Sequence, residues 1–515
     1  MHDKRCRLFN YHLAGFGVAL LAGALASCKL GPNYQRPALD VPGAYRGAAA
    51  TQTAGTQAAS EPATQASHPL GRDWWLAFGD DDLTRLEQAA IAHNPNLKVA
   101  MEQVIEARAT ARGVKGDFYP QITFSPTVLE TVHTQGKPSA SASIPFDLSY
   151  EVDLWGKIAR SLEAADANTR ASADQFGVAL LTLEADVAQA YFKLRSLERQ
   201  AEILHQNVVL AEQQLDLTRR QLAVGIIGRI NLVQEQTQID SLIPQETDIF
   251  RQRDDEEHAL AILTGVPPSE FSLAKRSGPT EPPVIPPGLP AELLRRRPDV
   301  AAAEENLIAA NANIGVAITQ FYPAVSLVGT AGYENVNLLH LGNWEDAILA
   351  FGPSVSLPIF TGGKLDAQLQ LNQAKYRELV ETYKSTLLTA FNDVETSLTD
   401  VHMYATSLEA QHKAVEDSRE YLRLAQDEYR QGLQSQLNVL DAQRTLLTNE
   451  DTEAQLLNNR MVSTVLLIKA IGGGWDSQTP LKTPPATNPP PEPQPSTTPA
   501  TEPQTAPATM PARAP

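Results

Sequence analysis

Cysteine is all but missing from this 515-residue chain: there are two, Cys6 and Cys28, both in the first 28 positions. The body of the chain therefore has neither a disulfide framework nor a thiolate metal site, and its stability must come from packing. Methionine is also scarce, five residues with two of them near the termini, too few for a copper path. The ten histidines are scattered, and His402 and His412 lack the i, i+4 spacing of a metal-binding helix. No Gly-rich phosphate loop or Ser/His/Asp arrangement is present, so an enzyme is not expected, nor a cofactor or a metal. Basic residues are outnumbered by acidic ones, 42 to 60, and the net charge of −18 argues against nucleic acid and against an anionic membrane surface as partners.

A long apolar run is missing as well. Leu13 to Leu25 is too short for a helical membrane span. It follows the cationic Lys4, Arg5 and Arg7 and ends in Leu25-Ala26-Ser27-Cys28. These residues resemble a bacterial lipoprotein signal, cut before Cys28 and acylated there; the plainer alternative is an ordinary secretory signal with an incidental cysteine. Lys29 rather than aspartate follows, which favours the outer membrane as the address.

What the chain does contain, it contains twice. Gly225 and Gly432 lie 207 positions apart, and that offset carries Ile230-Asn231 onto Leu437-Asn438, Asp186-Val187 onto Asp393-Val394, and Gly265 onto Gly472. Phe118-Tyr119-Pro120 recurs as Phe321-Tyr322-Pro323 at offset 203, as does Asn94-Pro95 in Arg297-Pro298. A period this long duplicates a whole structural unit, not a solenoid repeat of about 20 to 50 residues.

Glycine and proline are absent from 365–431, and 158–224 contains only Gly177. Each repeat thus has room for a helix of 67 residues, roughly 100 Å at ~1.5 Å per residue. Leu197, Ala201, Leu204, Val208, Ala211, Leu215 and Leu222 recur at threes and fours, a narrow coiled-coil-like seam. Turns at Gly225–Gly228 and Gly432–Ser435 would reverse each long helix into a return helix, 231–263 or 438–471, with a kink or break expected at Pro244. Leu83–Arg112 and Leu293–Ala317 would supply two shorter helices in the same line.

Strand signals lie between each Tyr-Pro and the following long helix. Ile144, Phe146, Leu148, Tyr150, Val152 and Leu154 alternate without a fault, Leu349, Phe351, Val355, Leu357 and Ile359 also alternate with polar or small residues, and weaker strands follow Pro120 and Pro323. Two hairpins, four strands, of ~10 to 12 residues match tilted membrane strands. In lipid such a sheet has to close, and four strands are too few, so two or more copies must each contribute. A soluble four-stranded sheet with one face on a core fits the same alternation.

These residues, taken together, resemble the TolC-like outer-membrane efflux proteins, in the lipoprotein branch that serves resistance-nodulation-division (RND) pumps. The matching features run from Leu25-Ala26-Ser27-Cys28 and Gly31-Pro32-Asn33-Tyr34-Gln35-Arg36-Pro37, through Trp74-Trp75, the two Tyr-Pro pairs and Pro358-Ile359-Phe360. They continue to Tyr429-Arg430-Gln431-Gly432, Asn438-Val439-Leu440-Asp441-Ala442-Gln443 and Gly472-Gly473-Gly474-Trp475. The resemblance implies a mainly α chain with a membrane β-barrel portion. A homotrimer would form a 12-stranded barrel continued by a periplasmic α-helical barrel, with a periplasmic adaptor and an inner-membrane RND-type pump as partners. Its function would be a passive exit duct in the outer-membrane lipid. A lipid-anchored coiled-coil scaffold that transports nothing is the alternative.

On this reading the domains are 1–27 (signal), 28–72 (extended segment and low-complexity linker), 73–265 (first repeat), 266–290 (Pro-rich linker), 291–475 (second repeat) and 476–515 (disordered Pro-rich tail). The resemblance also places a periplasmic gate at the second hairpin tip. Tyr429 matches a bonded tyrosine, Leu437 an apolar gate position and Asp441 a ring aspartate. Gln434 and Asn438 stand where some relatives carry arginine and a second aspartate. A bland reading competes: Asn438 with Asp441, like Asn231 with Gln234, has the spacing of a helix capping box.

Overall fold

The computed structural model describes residues 29–38, 45, 71–131, 139–276, 281–285, 296–335 and 344–475. The signal region, Cys28, segment 47–70 and the tail 476–515 lie outside the described residues.

Both repeats follow the order short helix, strands, long helix, return helix. The first has α1 (Asp81–His93), α2 (Pro95–Gly116), β1 (Gln121–Phe124), β2 (Thr127–Thr131), β3 (Ser139–Val152), α3 (Lys157–Ala223) and α4 (Arg229–Leu263). The second has α5 (Pro298–Thr319), β4 (Ala324–Asn335), β5 (Ala347–Ser356), α6 (Lys364–Arg430) and α7 (Gln436–Ala470). Both long helices have 67 residues and both return helices 35. The long helices thus have the length expected from the glycine- and proline-free spans, displaced by one residue.

The short helices differ from expectation. Leu83–Arg112 is two helices, because Asn94 precedes Pro95 and is driven out of the α region (φ −57°, ψ 123°). Its Oδ1 then accepts from Leu97 N at 3.0 Å and caps α2. Arg297 before Pro298 is extended for the same reason, so α5 starts at Pro298 and the expected Leu293–Ala317 helix is interrupted there, with 291–295 outside the described residues. At Pro244 the expected break is absent and α4 runs through the proline. The ring deprives one carbonyl of its donor, but Pro244 is exposed, so water can take that place.

Packing follows the seam. Leu204, Val208, Ala211 and Leu215 of α3 bury against Ile239 and Leu242 of α4, and each such leucine or valine contributes about 1.5–3 kcal/mol. Alanines let the repeats approach: Ala164 and Ala167 of α3 meet Ala309 and Ala312 of α5. Helices α2, α3, α5 and α6 lie side by side in that order, with α4 along α3 and α7 along both α6 and α3.

The four expected strands occupy four lines, the first broken at Ser125-Pro126 into β1 and β2, both paired with β3. β3 pairs with β4 and β4 with β5, all antiparallel. Pro145 falls inside β3 opposite Gly332. A Cβ there would stand 2.2 Å from Ile144 O, so only glycine admits this close approach.

The inter-repeat linker is Pro-rich, yet its described part is pinned. Arg195 Nη1 donates to Ala274 O at 2.9 Å, Leu273 N donates to Glu257 Oε1 at 2.8 Å, and Lys275 lies over the Phe250 ring. Proline-rich composition excluded helix and strand here without excluding order.

Candidate functional site

The sheet divides its side chains by parity. Ile122, Phe124, Phe146, Leu148, Leu327, Leu349, Phe351 and Val355 share one face; Thr123, Asp147, Ser149, Ser326, Thr330 and Ser354 share the other. On the polar face Thr330 Oγ1 donates to Asp147 Oδ1 at 2.8 Å. Among the described residues no layer covers the apolar face: Ile122 is 69 % exposed, Leu349 77 % and Phe351 80 %. That arrangement does not match the soluble sheet with one face on a core. Uncovered apolar area on this scale marks a surface that meets lipid or another chain. The outer edges, β1 with β2 on one side and β5 on the other, are unpaired among the described residues.

The base of the sheet is tied to the helices and to the N-terminal strap. Trp155 stacks on Tyr322, with ring centroids 5.0 Å apart, and donates to Pro323 O at 2.7 Å. Leu30 N donates to Trp155 O at 3.1 Å, so the chain two residues after Cys28 lies at the end of β3. The buried Arg160 secures this strap by donating to Leu30 O at 3.1 Å and Asn33 Oδ1 at 2.9 Å.

At the far ends of the helices the two tips have matching geometry. Gly225 and Gly432 both have φ +76°, a left-handed conformation that closes each long helix. Ile226 N donates to Gln221 O at 3.0 Å and Leu433 N to Glu428 O at 2.9 Å, the same bond in both repeats.

The residues singled out in the second tip are placed as follows. Tyr429 Oη donates to Gln221 Oε1 of the first repeat at 3.1 Å. Asn438 Nδ2 donates to Gln434 Oε1. Leu437 is exposed, and so is Asp441, which accepts from Tyr421 Oη at 3.4 Å. The capping boxes do not form. After the glycine turn α7 resumes at Gln436 and α4 at Arg229, with Ser435 and Gly228 as N-caps that make no side-chain cap bond. Asn438 and Asn231 are therefore already inside their helices, where the first-turn bonds they would have capped are behind them.

A cross-repeat pin that the sequence pattern does not announce sits beside these residues. Gln436 is buried at the start of α7; its Nε2 donates to Thr218 Oγ1 at 3.1 Å and to Glu235 Oε1, and its Oε1 accepts from Asn231 Nδ2 at 2.9 Å. Glu235 is fully buried, its Oε2 has no partner, and burial holds its carboxyl above the ordinary range while the Gln436 amide acts against that shift. Arg444 Nε adds a bond to Gln238 Oε1 at 2.9 Å. One signal could have exposed the pin: Glu235, Ile239 and Leu242 stand at i, i+4 and i+7, so a carboxyl occupies a seam position.

Among the described residues no helix is long and apolar enough to cross a membrane, and no group of three or more His, Cys, Asp or Glu could hold a metal ion.

The outer membrane efflux protein family matches residues 86–266 and again 289–473, one match per repeat. The chain belongs to that family. It is 30 % identical over 472 residues to the toluene efflux pump outer membrane protein TtgC of Pseudomonas putida, covering 90 % of this chain and 96 % of the relative. It is also 30 % identical over 464 residues to the probable outer membrane lipoprotein SilC of Salmonella typhimurium, covering 89 % and 97 %. Among solved structures, the outer-membrane channel OprN superimposes with a TM-score of 0.77 at 27 % identity, over 87 % of this chain and all of that one. The fold is thus that of an outer-membrane efflux channel: a membrane sheet continued by a helical tunnel wall.

Proposed function

We propose that three copies of this chain form a passive outer-membrane exit duct, through which an inner-membrane RND-type pump, acting via a periplasmic adaptor, expels small molecules. The observation that carries this is the sheet: its apolar face is uncovered and both its edges are open. An open edge in hydrocarbon costs several kcal/mol per unpaired group, so insertion requires neighbours on both sides. Three four-stranded sheets closing on one another give a 12-stranded barrel with the polar Asp147 and Ser149 face inward. The helical hairpins would continue it as a tunnel whose inner entrance is the α6–α7 tip.

Gating at that tip has its own support. Tyr429 and Gln436 hold the second-repeat hairpin to the first through Gln221, Thr218 and Asn231. Asp441 is exposed nearby, and three copies around an axis would repel one another and attract cations. Acylation at Cys28 fits the strap, which brings the adjoining Lys29-Leu30 to the membrane end of β3.

Reconstitution into a planar bilayer, with cross-linking of the same sample to count chains, is the test. Discrete conducting events from a trimer are expected. Repeated silence from folded protein would reject the duct and leave a lipid-anchored scaffold.

A further inference from the structure

At one place the two repeats serve as controls for each other. In the second, Arg297 Nη1 donates to Asp393 Oδ2 at 3.0 Å and to Ala470 O at 3.1 Å, while Nε and Nη2 donate to Asp299 at 3.0 and 2.7 Å. The positions equivalent to Arg297, Asp299 and Asp393 in the first repeat hold Asn94, Asn96 and Asp186. Asn94 copies half of this arrangement: its Nδ2 donates at 2.8 Å to Leu263 O, the counterpart of Ala470 O. The rest of its side chain is spent capping α2. Asp186 is left without a hydrogen bond or ion pair among the described residues.

Asn94, Asn96 and Asp186 all open onto a cavity of about 580 Å³ between α2, α3, α5 and α6, with Leu97, Leu263 and Leu379 in its wall. Asp299 also borders it, but its carboxylate is held by Arg297. A small-molecule site is typically a cavity of roughly 300–1,000 Å³, mainly apolar with a few placed polar groups. Partial burial raises the Asp186 carboxyl above its ordinary range, with the charge of Lys469 acting against the shift. An unpaired, partly desolvated carboxylate favours a partner that brings a charge-assisted hydrogen bond. Carboxylates on the wall disfavour an anion, and one free carboxylate is too few oxygens for a hard metal ion.

We propose that this cavity is a binding site for an organic cation, whose ammonium or amidinium group pairs with Asp186 where the second repeat supplies Arg297. The carboxamides of Asn94 and Asn96 lie beside the charged group, and the leucines take the apolar body. That such a ligand is cargo rests on the duct reading; that it binds does not.

Ethidium binding to the full-length purified protein, followed by its fluorescence, is the test, with uncharged N-phenyl-1-naphthylamine as the control dye. Saturable ethidium binding displaced by benzamidinium is expected. Asp186→Asn should weaken it about tenfold or more, the value of a lost charge-assisted bond. Asn94→Arg should also weaken it, by supplying the missing guanidinium from within the chain. Because Asn94 caps α2, Asp186→Asn carries the decision if Asn94→Arg misfolds. The proposal is overturned if ethidium does not bind, if Asp186→Asn leaves its affinity unchanged, or if the uncharged dye competes as well as benzamidinium. Protein that conducts in bilayers yet fails here would lose this site and keep the duct.

Discussion

Phe146→Arg is the sharpest probe of the sheet. Phe146 lies at the middle of the 14-residue β3, so the strand centre and the bilayer midplane should coincide there. Its ring meets Phe124 of β1 at 4.8 Å between centroids, and its register partner on β4 is Ala331. An arginine facing lipid at the midplane costs about 2–4 kcal/mol. Losing the ring pair adds about 0.5–1.5 kcal/mol. The sum, about 3–5 kcal/mol per chain, is more than a hundredfold in the folding equilibrium, since ~1.4 kcal/mol is tenfold. Ser149→Arg, three residues along the same strand, presents the same charge on the opposite face and should leave stability within about 0.5 kcal/mol while changing conductance. The assay is urea titration of vesicle-inserted protein, read by protection of β3 from protease. Equal loss in both variants, or equal tolerance, would mean the apolar face does not meet lipid.

Gln436→Ala leaves Glu235 buried with no donor, which should cost about 1–3 kcal/mol and raise the resting conductance of the tip, both readable by thermal melts and single-channel recording. Asp441→Asn should shift the reversal potential under a salt gradient toward weaker cation selectivity; an unchanged potential would remove Asp441 from the entrance. Burial, partly offset by the bond from Trp74 Nε1, pushes Glu184 up to about 8. Its folded value lies above its unfolded one, so its contribution to stability is complete below about pH 4.5 and is lost as pH rises through 8. Glu184→Gln should therefore flatten the decline in melting temperature between about pH 4.5 and 8. Cys28→Ala should abolish lipid labelling while the strands still insert, because a single acyl chain adds only marginal membrane affinity; loss of all membrane fractionation would contradict this.

The long helices were legible because a stretch without glycine or proline leaves nothing to stop a helix, and their seams because burial repeats at threes and fours. Six of the seven seam residues named on α3 are buried, Leu222 near the tip being the one partly exposed. Sheet parity was legible too, since side chains alternate whatever the partner. The capping-box spacing is misleading because spacing alone does not say where a helix resumes after a left-handed glycine. The pin at Gln436 was missed because its partners Thr218, Asn231 and Glu235 come from a helix pair roughly 200 residues away in sequence.

The sequence by itself determined the duplication, the helix lengths and the two-faced sheet, because each is a local pattern of backbone freedom and side-chain polarity. Tertiary structure decided what those patterns are for. Only the folded chain leaves the apolar face uncovered and joins the two hairpins through a buried amide, and only there does Asn94 fall short of the carboxylate its counterpart reaches. These depend on which residues meet across the repeats, and that is set by packing between segments whose separation in sequence carries no distance.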